Sequence, residues 1–330
     1  MRVYVIEGSG KGGMIQYDYH LCRALQRSGI ETVLVTSTQY ELHDLPHEFR
    51  VVKLLKLWDP RGGRPANPLV RKIRRVARGL QYGVEWLRLI AFLLREHPDV
   101  ILFGEVRFHF EYYFLLLLRG LGFRLAAVVH DVLRYDYTSN SDAITRQSQH
   151  DIHAYTRIYR QFFALFVHDR TNTDLFLHTY SIPKETVHEI HHATSEISLE
   201  IEPALTPLEL RAQLGIPPEQ PVVLFFGTIT KYKGLDILLQ AFPKVVAATK
   251  ACLLVAGFPA KDVDPEELKR LVAELNISDA VSWFLDYVPN NLISPLLQLS
   301  SVVVLPYRMI AQSGVLQIAY AYGKPVVATR

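Results

Sequence analysis

Lys231 and Lys233 lie in the stretch PVVLFFGTITKYKGLDILLQAF, residues 221–242. An apolar run stops at Gly227, a polar loop carries the lysines, and an amphipathic pattern starts after Gly234. That layout is a strand delivering a cationic loop to the start of a helix. Backbone N–H groups in a first helical turn lack intrahelical partners and sit at the positive end of the helix dipole. With ammonium groups beside them they suit an anionic, phosphate-bearing ligand. The same residues also fit a plain strand-to-helix turn with solvated lysines, and the stretch alone leaves both readings open.

A second loop, EGSGKGGM, follows the first apolar run, and its Gly8, Gly10 and Gly13 fit GxGxxG. A dinucleotide site of that kind also needs an acid at the end of the second strand to hold the ribose hydroxyls. Here that strand runs out as Val35, Thr36, Ser37, Thr38, with no acid before Glu41. A phosphate loop of the GxxxxGK[ST] type fails as well, because Lys11 precedes the glycines and no Lys-Ser or Lys-Thr pair follows. What remains is that Gly12 and Gly13 let a ligand approach the backbone closely. Glu7, at the strand end, reads either as a functional carboxylate or as a surface group. The third loop, RMIAQSG at residues 308–314, precedes the helical run VLQIAYAY. Ser313 fits an N-cap, and Gly323 followed by Pro325 fits a helix stop. This loop is either a cap alone or a second phosphate-facing helix start. Two such loops opposite a glycine loop favour a diphosphate ligand.

The elements that would position these loops follow from the hydrophobic pattern. Short β-rich runs alternate with longer helical patterns over the 330 residues, which predicts doubly wound parallel sheets in two domains. Strands are expected at 3–7, 32–36, 100–103, 125–130, 165–168 and 187–191, with helices at 15–27, 70–95, 111–120 and 171–179 between them. The regular pattern lapses near residue 193. The expected division is a first Rossmann-like domain over 1–195, a linker over 196–220 and a second Rossmann-like domain over 221–330. In the second, strands fall at 222–227, 252–257, 281–284, 302–305 and 326–329, and the ligand is expected in a cleft between the domains.

Composition excludes several classes. Hydrophobic residues make up 49% and charged residues 21%, the balance of a folded globular chain, not a disordered one. A net charge of +3, without interleaved aromatics and basics, gives no footprint for nucleic acid. Cys22 and Cys252 form neither a disulfide framework nor a metal pair, which fits a reducing cytoplasm. His168, His191 and His192 lack metal-site spacing and read as structural. The apolar stretches 80–94 and 108–118 fall short of the roughly 20 apolar residues a membrane span needs. No secretory signal opens the chain.

The pieces KGGMIQYDYHLCRALQRSGIETVLVTS, AAVVHD at 126–131, GTITKYKGLDILLQAF and LPYRMIAQSGVLQIAYAYGKPVVAT together resemble the retaining glycosyltransferases of family 4. The resemblance implies the GT-B architecture, two facing Rossmann-like domains, and metal-independent transfer of a sugar from a nucleotide diphosphate sugar with retention. It implies no further cofactor. Carried over by position, Lys233 matches the diphosphate lysine and His130 with Asp131 match the active-site histidine region. Tyr287 and Val288 match the segment that meets the nucleotide base. Gly227, Thr228, Lys231, Gln312, Ser313, Gly314 and Gln317 fall where the family lines the donor. This chain also departs from the family: Thr228 replaces an arginine, and the usual two glutamates fall on Ile310 and Ile318. The missing glutamates keep open a non-catalytic nucleotide-sugar-binding protein of the same fold; an NAD-dependent oxidoreductase is disfavoured by the missing acid. Family members continue beyond the strand at 326–329, so the chain reads as a C-terminally truncated member.

Between Arg61 and Gly79 the chain carries seven basic residues and no acidic one. Arg71, Arg74, Arg75 and Arg78 share a helical face, with Lys72 as a further basic residue of the same stretch, and Val70, Ile73, Ala77, Leu80, Val84 and Leu87 form another. One reading is a helix lying on anionic lipid at the inner face of the membrane, with a lipid-linked acceptor in cell-envelope or exopolysaccharide synthesis. The other is a helix packed on its sheet with a solvated basic face.

Overall fold

The computed structural model describes residues 1–56, 67–132, 147–191, 197–308 and 313–329. The chain divides into two compact units, the first made of Met1–Val132 with Ser148–His192, the second including Ala193–Arg330.

The first unit is built from β1 (Arg2–Ile6), α1 (Gly12–Arg27), β2 (Glu31–Ser37), β3 (Arg50–Leu55), α2 (Pro68–Glu96), β4 (Val100–Phe103), α3 (Glu111–Gly120), β5 (Leu125–Val129), α4 (Gln149–Tyr159), β6 (Ala164–His168), α5 (Arg170–Thr179) and β7 (Val187–Ile190). Its strands pair in parallel in the order β3-β2-β1-β4-β5-β6-β7. Strands covered on both faces read as continuous apolar runs, and β5, LAAVV, is buried at every position. The edge strand β3 and the helix α4 escaped the pattern. β3 is only half buried, and α4, QHDIHAYTRIY, has many polar residues among its apolar ones.

The second unit contains α6 (Ile197–Glu200), α7 (Pro207–Gln213), β8 (Val222–Phe226), α8 (Leu235–Thr249), β9 (Cys252–Ala256), α9 (Pro265–Glu274), β10 (Val281–Phe284), α10 (Asn290–Leu299), β11 (Val302–Leu305), α11 (Gly314–Ala321) and β12 (Val326–Ala328). Its parallel sheet runs β10-β9-β8-β11-β12. The segment expected as a linker carries α7, closed by a capping box between Thr206 and Glu209. Leu210 and Ile216 are buried in the core of this unit with Val222, Leu224 and Leu296.

Both sheets reverse their strand order beside the first strand of the unit. In such sheets ligands bind outside the carboxyl ends of the strands at that switch point. In the second unit it falls between β8 and β11, whose following loops hold Lys233 and Arg308. In the first it falls between β1 and β4, at the glycine loop.

Candidate functional site

The loop after β8 is held by its neighbours at the sheet edge. Gly227 N–H donates to Ala256 O at 2.9 Å, and Ile229 N–H to Phe258 O at 2.8 Å. Lys231–Lys233 form a single 3-10 turn, and Gly234, at φ 66°, caps α8 in the left-handed conformation. A Cβ at Gly234 would stand 2.1 Å from Pro306 O, so only glycine lets the loops after β8 and β11 pack this closely. At Gly257 the crowding is similar, with a Cβ falling 1.9 Å from Gly227 O.

Charge in this loop is unevenly compensated. Lys231 is exposed, and its N–H donates to Asp262 Oδ2 at 3.0 Å. Arg308 reaches in from the loop after β11: its N–H donates to Tyr232 O at 2.8 Å and its Nη1 to Lys231 O at 2.7 Å. The Arg308 guanidinium forks onto Asp236 at 2.9 and 2.5 Å. Burial raises the Asp236 pKa, but the hydrogen bonds and charge of Arg308 outweigh it and leave the carboxyl below its usual value. Lys233 differs. It is 8% exposed, its Nζ lies 5.8 Å from the Tyr307 ring centre, and no described carboxylate stands within ion-pair distance. Burial alone lowers its pKa from 10.5 to about 8. Around neutral pH the second unit therefore holds a mostly protonated, largely desolvated ammonium without a counter-charge among the described residues.

Helix α11 starts beside this loop. Ser313 caps it, its Oγ accepting from Leu316 N at 3.2 Å, and Gly314 is exposed. A Cβ at Gly227 would stand 3.2 Å from both Lys233 Nζ and Val315 Cγ2, which puts the first turn of α11 against the lysine.

The glycine loop of the first unit is arranged in the opposite sense. Glu7 is 3% exposed, and its carboxylate accepts from Ser9 N at 2.9 Å, Ser9 Oγ at 2.5 Å, Gly10 N at 2.7 Å and Thr36 Oγ1 at 3.2 Å. It is neither a surface group nor a carboxylate open to an acceptor. Gly12 N–H donates to Glu41 Oε1 at 2.6 Å. The glycine loop thus meets its own carboxylates. Gly13 is uncrowded on its Cβ side.

Farther along the same sheet edge, His130 and Asp131 follow β5, His130 half-buried and Asp131 exposed. Sequence reading left His168 structural and treated His130 alone. Adjacent strands β5 and β6 bring the two rings to 5.2 Å, and Tyr17 of α1 stands edge-on to both, at 4.6 and 5.3 Å. Strand-end positions in neighbouring strands were the available signal for this trio. Asp18, next to Tyr17, is fully buried against Gly104, and neither carboxyl oxygen has a described hydrogen-bond partner. Burial, with smaller repulsion from Glu7 and Glu105, raises its pKa well above the usual value.

A family model described as glycosyl transferases group 1 matches residues 220–330. That stretch covers β8 to β12 of the second unit. The D-inositol 3-phosphate glycosyltransferase of Acidothermus cellulolyticus is 30% identical over 127 residues, covering 36% of this chain and 28% of that relative. The match thus spans less than a third of the relative's length. Sucrose-phosphate synthase from Thermosynechococcus elongatus aligns with a TM-score of 0.68 at 18% identity, covering 99% of this chain and 80% of that one. Anabaena HepE, in complex with UDP and glucose, gives 0.66 at 17% identity over the same shares. Both units have the doubly wound parallel sheets of the GT-B glycosyltransferase fold.

Within the second unit, the residues expected to line the donor divide. Gly227, Thr228, Lys231 and Lys233 sit in the loop after β8, with Ser313, Gly314 and a half-buried Gln317 at the start of α11. Tyr287 is half-buried after β10, whereas the Val288 side chain is buried in the hydrophobic core and leaves only its backbone for a ligand. Ile318 is also a core residue, 7% exposed. Gln312 and Ile310 lie outside the described residues. Arg308, absent from the expected set, brings a third cation to the loop that holds Lys231 and Lys233; its place after β11, across the switch point, was the signal.

Proposed function

We propose that this chain is the catalytic part of a retaining, metal-independent glycosyltransferase. It moves a sugar from a nucleotide diphosphate sugar to a glycan or lipid-linked acceptor in cell-envelope or exopolysaccharide synthesis. The observation that carries the reading is Lys233, a buried ammonium without a described counter-ion at the switch point of a group 1 unit. A donor diphosphate supplies the missing charge, and a charge already oriented in a dry site stabilises a leaving group at low reorganisation cost. Lys233, the α11 start at Ser313 and Gly314, and Lys231 stand in for the divalent cation that other transferases use. The UDP bound by Anabaena HepE is a ligand of this class.

With retention, the acceptor hydroxyl attacks on the face the diphosphate leaves, and a phosphate oxygen takes the proton. His130, braced by Tyr17 and His168, orients donor hydroxyls, with Asp131 beside it. A second reading, a non-catalytic nucleotide-sugar binder, rests on Ile318, a core residue where the family has a glutamate. Turnover separates the two. Release of nucleoside diphosphate by the wild type, abolished in Lys233→Ala, supports the transferase; tight donor binding without turnover on any acceptor supports the binder.

The proposed enzyme works in the cytoplasm, peripheral on the inner face of the membrane through Lys72, Arg74, Arg75 and Arg78; the Arg71 side chain, expected with them, lies outside the described residues. Only the carboxyl half of α2 packs on the sheet, through Trp86, Leu89, Ile90 and Leu93. Its other face shows solvent an apolar row with Leu69 at 64%, Ile73 at 61% and Leu80 at 69% exposure in the amino half, continued by exposed Val84 and Leu87 beyond it, with Val76 also exposed. Neighbouring α3, joined to α2 where Tyr82 meets Phe108 and Phe110, adds exposed Tyr113, Leu117 and Leu121. Apolar side chains flanked by Lys72 and Arg75 fit an anionic lipid surface. No helix among the described residues is long and apolar enough to cross a membrane. Pelleting with anionic liposomes at low salt, lost at high salt, is the expected result; absence of binding at low salt would refute this face.

A further inference from the structure

The geometry points to a divalent transition-metal site, of the zinc class, formed by His109, His150 and Asp151 in the first unit. One ligand atom from each lies within 4.8 Å of the others. His109 Nε2 stands 3.3 Å from Asp151 Oδ1, and His150 Nδ1 stands 3.9 Å from the same oxygen. With metal–ligand bonds of about 2.0–2.2 Å, neighbouring ligands of a tetrahedral ion are about 3.3–3.5 Å apart. Of the three pairs, His109–Asp151 is already at that separation, His150–Asp151 needs a closing of a few tenths of an ångström, and the two imidazole nitrogens, within 4.8 Å of each other, close by rotation of the exposed His150 ring.

Two ligands are oriented by groups behind them, as metal ligands commonly are. Ser148 Oγ donates to the other Asp151 oxygen at 2.6 Å and accepts from Asp151 N at 3.1 Å, so the free edge of the carboxylate faces the histidines. The His109 ring packs edge-on against Tyr155 at 5.0 Å. Tyr155 in turn donates from its hydroxyl to Arg107 O at 2.8 Å, which ties the loop carrying His109 to α4.

Two imidazoles and one carboxylate select Zn2+, Co2+, Ni2+ or Cu2+ over Mg2+ and Ca2+, which prefer all-oxygen sets. The remaining position is filled by water. The ion fastens the loop between β4 and α3 to the first turn of α4. Its three ligands belong to the first unit and the Lys233 loop to the second.

Calorimetry of the tag-free chain with Zn2+ alone at neutral pH, with thermal melts in parallel, tests the site. One saturable equivalent of Zn2+ is expected, with a rise in Tm that EDTA reverses and that Mg2+ does not produce. His150→Ala and His109→Ala abolish saturable binding, while Ser148→Ala weakens it about tenfold. The His150 side chain is 85% exposed, so its removal leaves the packing intact, and circular dichroism checks the fold of each variant. No saturable binding by the wild type, or equal binding by all three folded variants, overturns the site.

Discussion

In the first unit the loop after β1 meets its own N–H groups with carboxylates from its own chain, Glu7 at Ser9 and Gly10 and Glu41 at Gly12. In the second unit the loop after β8 buries Lys233 with no described carboxylate in reach. Both loops are glycine-bearing, both follow the first strand of a doubly wound sheet, and both lead towards a helix. One is electrostatically closed and the other is left one anion short. Glycines between strand and helix therefore mark where a ligand can come close; how the loop's charge is balanced decides whether an anionic ligand is wanted there.

The largest effect expected from breaking this contrast is at Lys233. Lys233→Met lowers the transfer rate at subsaturating donor by about a hundredfold or more, the loss of a charge-assisted contact of roughly 3 kcal/mol, read as kcat/KM. The same substitution stabilises the ligand-free chain. The fall from 10.5 to about 8 corresponds to a penalty on the order of 3 kcal/mol for holding the ammonium buried. The sign follows from proton counts. Between pH 8 and 10.5 the unfolded chain holds a proton that the folded chain has released, so stability rises with pH across that window. Below pH 8 the penalty is fully present, and there Lys233→Met shows its greatest gain in denaturant midpoint, a gain that shrinks towards zero above pH 10.5.

Next comes the backbone at the same loop. Gly234→Ala forces a side chain into a left-handed position and against Pro306 O, which costs about 3 kcal/mol or more and lowers Tm accordingly. In the closed loop, Glu7→Ala strands the N–H groups of Ser9 and Gly10 and costs about 2–3 kcal/mol of stability. Glu41→Ala, which frees only the Gly12 N–H, costs about 1 kcal/mol. Neither acid affects diphosphate affinity if the contrast holds. A nucleoside diphosphate affinity that rises several-fold in Glu41→Ala would show that Gly12 also faces the ligand and that the two loops are less different than drawn.

Much of this was legible in the sequence, for identifiable reasons. Buried parallel strands read as apolar runs, so β4, β10 and β11 fall where the pattern put them, and the two turns at Gly227 and Gly234 follow from glycine at strand and helix ends. The edge strand β3 was lost because half of it faces solvent. Charge pairing was harder to read, since Glu41 reaches Gly12 across 29 residues and Arg308 reaches Asp236 across 72. Periodicity reports which face of an element is buried, not which side chain closes a loop on another strand. The ring trio of Tyr17, His130 and His168 likewise depends on β5 lying beside β6, a fact of topology and not of local pattern.

The most direct test of the central claim is calorimetric titration of the chain with UDP, GDP and ADP at pH 8.5 in buffers of differing ionisation enthalpy. An open lysine site predicts that at least one nucleoside diphosphate binds with net uptake of protons, as the anion draws the Lys233 pKa back up from about 8. It also predicts that Lys233→Met binds that diphosphate about a hundredfold more weakly without proton uptake. Binding with unchanged affinity in Lys233→Met, or no binding of any diphosphate by the wild type, would contradict it.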